Sequence, residues 1–148
     1  MNYRICTKKD IPVMCEMRKQ QLIQSGIDPK TDIDADLYRF FSDKLDDGSL
    51  VEWMLEENGE VVATAGILFI EFPPSYRNHT GVRGYITNMY TAPEYREKGI
   101  ASSMLQKLIE EARKRSVFRI CLRASEMGKS VYKQFGFDES DKWMELDL

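Results

Sequence analysis

The stretch from Gly84 to Arg123 leaves this chain few ways to fold. Gly84–Thr91 (GYITNMYT) is rich in β-branched and aromatic residues and reads as a strand, which Pro93 stops. From Ile100 the apolar residues Ile100, Met104, Leu105, Leu108, Ile109 and Ala112 recur with the spacing of a buried helical stripe. Val117–Arg123 then alternates Phe118, Ile120 and Leu122 with Arg119, Cys121 and Arg123, a second strand. Strand, helix, strand in that order predicts a parallel, right-handed crossover.

The turn inside this unit can carry chemistry. A helix start presents unpaired backbone N–H groups and the positive end of the helix dipole, so it attracts an anion wherever nothing bulky blocks the approach. Gly99, Ala101 and Ser102 keep that approach open, and Arg96 and Lys98 add positive charge. Successive N–H groups in such a turn can form a concave nest for phosphate oxygens. The alternative is an ordinary connection, with a glycine that permits a tight turn and solvated cations.

The rest of the chain is organised around a hairpin. Leu50–Glu57 and Glu60–Glu71 are β-rich runs joined by Asn58-Gly59, which tolerate the positive φ of a type I′ turn, so the two strands should be antiparallel. In the second run both alternating faces are apolar, which places it centrally in its sheet with cover on both sides. Upstream, Asn2–Cys6 reads as a short strand. A helix follows with Ile11, Met14, Cys15, Arg18 and Leu22 along one side, capped by Thr7 or Asp10 and ended by Gly26. A second helix presents Leu37, Phe40, Phe41 and Leu45. Phe72–Val82 is a long loop. Gly128–Phe135 reads as a short helix stopped by Gly136, and Phe137–Asp138 with Trp143–Leu148 as a closing antiparallel hairpin. One domain spanning 1–148 is expected.

Charge and cysteines exclude several classes. Lys and Arg number 21 against 24 Asp and Glu, a net charge of −3, which offers no basic excess for nucleic acid. Cys6, Cys15 and Cys121 form no C-x-x-C pair, so neither a disulfide framework nor a zinc site is expected, and His79 is the single histidine. No metal is therefore expected. With no apolar leader and no membrane-length run, the cytoplasm is the expected compartment, and no membrane partner is expected.

Two segments resemble a known family. Arg96-Glu97-Lys98-Gly99-Ile100-Ala101 is similar to the R/Q-x-x-G-x-G/A signature of the GCN5-related N-acetyltransferases (GNAT), with Ala101 in place of the commoner second glycine. Ser130–Phe137 resembles the family's x-Y-x-x-x-G-F segment through Tyr132 and Gly136-Phe137. Neither G-x-G-x-x-G nor G-x-x-x-x-G-K-[ST] occurs in the chain. The resemblance implies an α/β (α+β) fold, with a mixed, mostly antiparallel central sheet of about six to seven strands flanked by about four helices.

The same resemblance implies acetyl-coenzyme A as cosubstrate and a primary amine, of a small molecule or a peptide, as acceptor. The pyrophosphate would lie on Arg96, Glu97, Lys98, Gly99, Ile100, Ala101 and Ser102. The thioester carbonyl would face backbone N–H groups near Met89 and Tyr90, where a bulge or splay would free a donor from the ladder, and backbone groups of Met89 and Thr91 would pair with the pantetheine arm. Tyr132 would protonate the departing thiolate, since a phenol near pKa ~10 stays protonated at neutral pH and suits a thiol near ~8.5.

The acceptor side is less defined. Asp28 and Asp32 lie in an acidic loop that reads either as helix capping or as recognition of a cationic amine. Tyr76 and His79 lie in the Phe72–Val82 loop. The amine's proton could pass to Glu71 or to His79, directly or through a water oriented by Asn88, or simply to solvent. The terminal segment with Trp143, Met144, Leu146 and Leu148 could pair with a second subunit as a homodimer. A non-catalytic acyl-coenzyme A sensor or protein-interaction module on the same fold is the rival reading.

Overall fold

A computed structural model describes residues 1–148. Its elements, in chain order, are β1 (Asn2–Ile5), α1 (Ile11–Gln24), α2 (Asp34–Asp46), β2 (Leu50–Glu57), β3 (Glu60–Glu71), β4 (Val82–Thr91), α3 (Ile100–Lys114), β5 (Ile120–Leu122) and α4 (Lys129–Gln134). The strands form one sheet in the order β1-β2-β3-β4-β5. All pairs are antiparallel except β4 with β5, which run parallel as the strand–helix–strand order requires.

The β2–β3 hairpin forms at Asn58-Gly59, with φ of 52° and 81° and Glu57 opposite Glu60. Strand β3 is central, and its residues Val62 to Ile67 are all buried. Alternation along β2 separates two cores. Leu55, with Ala63, Ala65, Ile67 and Ile86, packs against Ile100, Met104, Leu105, Leu108 and Ala112 of α3. Leu50 and Met54 face the other way, against Ile11, Met14 and Cys15 of α1 and Phe41 of α2. So α1 and α2 cover one face of the sheet and α3 the other, and a side chain's place along a strand decides which compartment it enters.

The sheet has five strands rather than six or seven. Val117–Arg123 pairs only over Ile120–Leu122, because Val117 is buried at the end of α3, where its N–H donates to the Ala112 carbonyl, and Phe118 is left 80% exposed. The expected hairpin of Phe137–Asp138 with Trp143–Leu148 does not form. These residues carry no strand, and Trp143, Met144, Leu146 and Leu148 are exposed. The alternating pattern has no adequate template: a three-residue edge strand offers too few ladder bonds to offset the entropy of ordering the tail. The four helices are as expected, although α4 stops one residue before Phe135.

Cys6 and Cys15 are buried and burial pushes both thiols up, so they act as small core hydrophobes. No helix is long and apolar enough to cross a membrane.

Candidate active site

Strand β4 is irregular where its inner half meets β3. Thr64 pairs with Tyr90 and Gly66 with Thr87, so Asn88 and Met89 together oppose the single residue Ala65. This is a β-bulge, and its first residue, Asn88, has φ of 56°. Asparagine tolerates that left-handed conformation better than the Ile, Thr, Met and Tyr around it. Met89 is left packing on the α3 side of the sheet, against the same core as Tyr132.

Two buried side chains hold the bulge. The Thr64 hydroxyl donates to the Asn88 carbonyl at 3.1 Å, and the Asn88 side-chain amide donates to Glu52 Oε2 at 2.9 Å. Glu52 is in phase with Leu50 and Met54 on the α1 side of β2, has 0% exposure, and its other oxygen, Oε1, has no partner. Gly66 makes room for it: a Cβ there would stand 3.1 Å from Glu52 Oε2. Burial pushes the Glu52 carboxyl up to about 8, against the opposing pull of the Asn88 hydrogen bond and the Arg18 charge.

Stability should therefore depend on pH through this residue. From its ordinary value of 4.5 up to about 8, the folded protein keeps a proton that the unfolded chain has released. Stability is then lost as pH rises through that window, with a slope approaching about 1.4 kcal/mol per pH unit. Denaturant unfolding at a series of pH values checks this. Glu52→Gln should remove the slope, and an identical slope in that variant would assign it to other groups.

Beyond the bulge the chain leaves the sheet at Ala92, whose N–H donates to the Val62 carbonyl, and turns through a single 3-10 turn at Pro93–Tyr95. Glu97 and Gly99 both take positive φ, 61° and 76°, and α3 starts at Ile100. The N–H groups of Glu97 through Ser102 donate to no backbone carbonyl and to no side chain. A Cβ built on Gly99 meets nothing within 4 Å, so the space above these donors is open. Six free donors beside a helix start, with an unobstructed approach, form a cradle that fits phosphate oxygens.

Arg96 is not a loose cation in this turn. Its Nε donates to the Thr91 carbonyl at 3.0 Å and its Nη2 to Gln24 Oε1, so it ties the turn to the end of β4 and to the last residue of α1. Lys98 stands over the Tyr95 ring, 5.0 Å from its centroid. Tyr132 lies half-buried on α4, edge-on to Phe137 at 5.9 Å, and Gly128 leaves space for its ring. Its hydroxyl makes no hydrogen bond within the protein. Burial pushes its pKa up, so it stays protonated at neutral pH.

The other expected residues lie apart. Glu71 is exposed at the far end of β3, opposite Val82 and seven residues from Thr64, about 23 Å along the strand. Tyr76 and His79 are exposed in the loop beyond it. The structure brings none of these three to the bulge. Asp28 and Asp32 are exposed between α1 and α2, where Asp28 pairs with Lys30 and Asp32 accepts from the Asp34 N–H at the start of α2. Asn88 is the one acceptor-side candidate that belongs to the bulge itself. Glu52 is the residue that the sequence reading missed. The signal was a carboxylate between Leu50 and Met54 on an inward phase of β2.

The acetyltransferase (GNAT) family model matches residues 15–137. The chain belongs to the GNAT family. The match runs from α1 to Phe137, so the bulge, the turn and Tyr132 all fall within it. This GNAT chain is 52% identical to a predicted acetyltransferase from Clostridium acetobutylicum, whose crystal structure was determined with acetyl-CoA. The TM-score is 0.97, with 99% of this chain and 95% of that one covered. A GCN5-related N-acetyltransferase from Ralstonia eutropha JMP134 superposes with a TM-score of 0.90 at 28% identity, covering 99% and 97%. Among curated relatives, glucosamine 6-phosphate N-acetyltransferase of Trypanosoma brucei brucei is 25% identical over 93 residues, 63% of this chain. That match spans 61% of the relative's length.

Proposed function

We propose that this GNAT protein transfers an acetyl group from acetyl-coenzyme A directly to the primary amine of a small molecule or a peptide. The observation that carries the proposal is the run of six unpaired N–H groups from Glu97 to Ser102 under the open space at Gly99. The neighbour of 52% identity, crystallised with acetyl-CoA, supports the same cosubstrate here. The pyrophosphate rests on this cradle. The pantetheine arm runs back along Met89 to Thr91, and the thioester carbonyl faces the N–H groups at Met89 and Tyr90.

The amine nitrogen attacks the thioester carbonyl carbon, and the oxygen gains charge against preorganised backbone donors, where each donor is worth most. The C–S bond then breaks, and the thiolate takes a proton from Tyr132. The amine reaches the carbon from the α1 and α2 side, past Asp28 and Asp32, and gives its proton to solvent water there, while Tyr132 regains one from solvent. The enzyme would work in the cytoplasm, and the exposed Trp143–Leu148 segment is where a second copy would pair.

Release of free thiol from acetyl-coenzyme A tests the proposal, using glucosamine 6-phosphate, polyamines and peptides with free N-termini as acceptors. At least one acceptor should raise the rate clearly above hydrolysis. Tight cofactor binding with no acceptor-dependent thiol release across the panel would favour a non-catalytic acyl-coenzyme A sensor instead.

A further inference from the structure

Glu52 is hard to explain as a core residue. Leu50 and Met54, two positions to either side on the same face of β2, are apolar and buried at 2% and 0% exposure. A carboxyl between them is costly to bury, and Oε1 has no hydrogen bond to offset that cost. Its one partner is the Asn88 amide, and Gly66 is the residue across the strand that leaves it space. Such unfavourable groups persist where the surrounding structure holds a strained backbone for function, and Asn88 is a left-handed residue in mid-strand.

We propose that Glu52 is a positioning residue for acetyl transfer: by holding the Asn88 side-chain amide while Thr64 holds its carbonyl, it fixes the β4 bulge and so the direction of the N–H groups that polarise the thioester carbonyl. This rests on the reading that acetyl-coenzyme A lies along β4. Thr64 holds only the Asn88 carbonyl; the Asn88 side chain accepts at Oδ1 from the neighbouring Thr87 hydroxyl at 3.4 Å, and its shorter bond, 2.9 Å from its amide to Glu52, is the one that ties it to β2.

The grip also has two strengths. A carboxylate accepts the Asn88 N–H more strongly than a neutral acid does. The ionisable groups that act on Glu52 are few. Arg18 on α1 favours the carboxylate, Cys6 before α1 and Cys15 on α1 face it as thiols, and Tyr85 on β4 acts on Arg18. The polarisation of the bound carbonyl should therefore rise with pH as Glu52 ionises.

The test reads the thioester itself and needs no acceptor. The carbonyl stretch of acetyl-coenzyme A carrying 13C at the carbonyl is recorded free and bound, by isotope-edited infrared difference. In the wild-type protein it should move to lower frequency on binding, and further so as pH rises from about 6 to 9. Glu52→Leu and Asn88→Ala should each return at least about half of that shift while acetyl-coenzyme A affinity stays within about threefold. Glu52→Gln can still accept from Asn88, so it should keep the shift and lose its pH dependence. A wild-type shift in both Glu52→Leu and Asn88→Ala, or a wild-type pH dependence in Glu52→Gln, would overturn the assignment. Failure of the wild-type protein to bind acetyl-coenzyme A would overturn the proposed function together with it, so the two failures read differently. A merely structural carboxyl would change the melting temperature of these variants and leave the stretch alone.

Discussion

Replacing Tyr132 by phenylalanine is expected to lower turnover by about ten- to a thousand-fold while leaving acetyl-coenzyme A affinity nearly unchanged. The ring is what the fold uses. It packs on the α3-side core, lies edge-on to Phe137 and fits over Gly128, and phenylalanine reproduces all three contacts. The hydroxyl makes no hydrogen bond within the protein, so removing it leaves no orphaned partner and should not weaken the fold. What is lost is a proton donor that burial keeps protonated, and hence the means to discharge the thiolate as the C–S bond breaks. Steady-state turnover together with calorimetric cofactor titration separates the two. An unchanged rate would remove Tyr132 from the chemistry and leave it a packing residue.

Gly99→Glu should weaken acetyl-coenzyme A binding by at least about tenfold. Gly99 sits at φ of 76°, so any side chain costs backbone strain of roughly 1–2 kcal/mol. A Cβ there meets no protein atom within 4 Å, which means the fold survives and the loss falls on whatever occupies that space. The introduced carboxylate would also compete for the N–H groups from Glu97 to Ser102 and repel phosphate. Gly99→Ala separates strain from charge: it should cost affinity much less than glutamate does. Full affinity in Gly99→Glu would place the phosphates elsewhere.

The legible part of this molecule was the local part. The stripe from Ile100 to Ala112, the Asn58-Gly59 turn and the apolar alternation of β3 are each written within a dozen residues, and each formed as expected. The bulge was implied by the family resemblance but not legible in the residues, because it is a mismatch of count between β3 and β4 that only their pairing reveals. Glu52 escaped for a related reason. Its phase on β2 marks it as inward-facing, but what gives it a role is Asn88, 36 residues away. Arg96 was expected to add positive charge, and its ties to Thr91 and Gln24, which brace the turn, were not legible because both partners depend on the fold. The Trp143–Leu148 alternation was read as a strand, yet a strand needs a neighbouring edge, and β5 offers three residues.

The sequence was also a poor guide to the amine's side of the site. Glu71 sits at the end of an apolar strand and looked available for proton transfer, but β3 runs twelve residues, and its far end cannot reach a bulge opposite Ala65. The cofactor side was better specified because a turn, a glycine and a helix start are contiguous in the chain.

The acetyl group should pass from sulfur to nitrogen on this protein. The direct measurement is mass spectrometry of the products after incubation with acetyl-coenzyme A labelled in its acetyl carbons and with the amine panel. A labelled acetamide of one or more amines should form in one-to-one ratio with free coenzyme A and, at cofactor concentrations below saturation, form much more slowly in Gly99→Glu. Labelled acetate alone, or bound acetyl-coenzyme A that remains intact beside every amine, would contradict it.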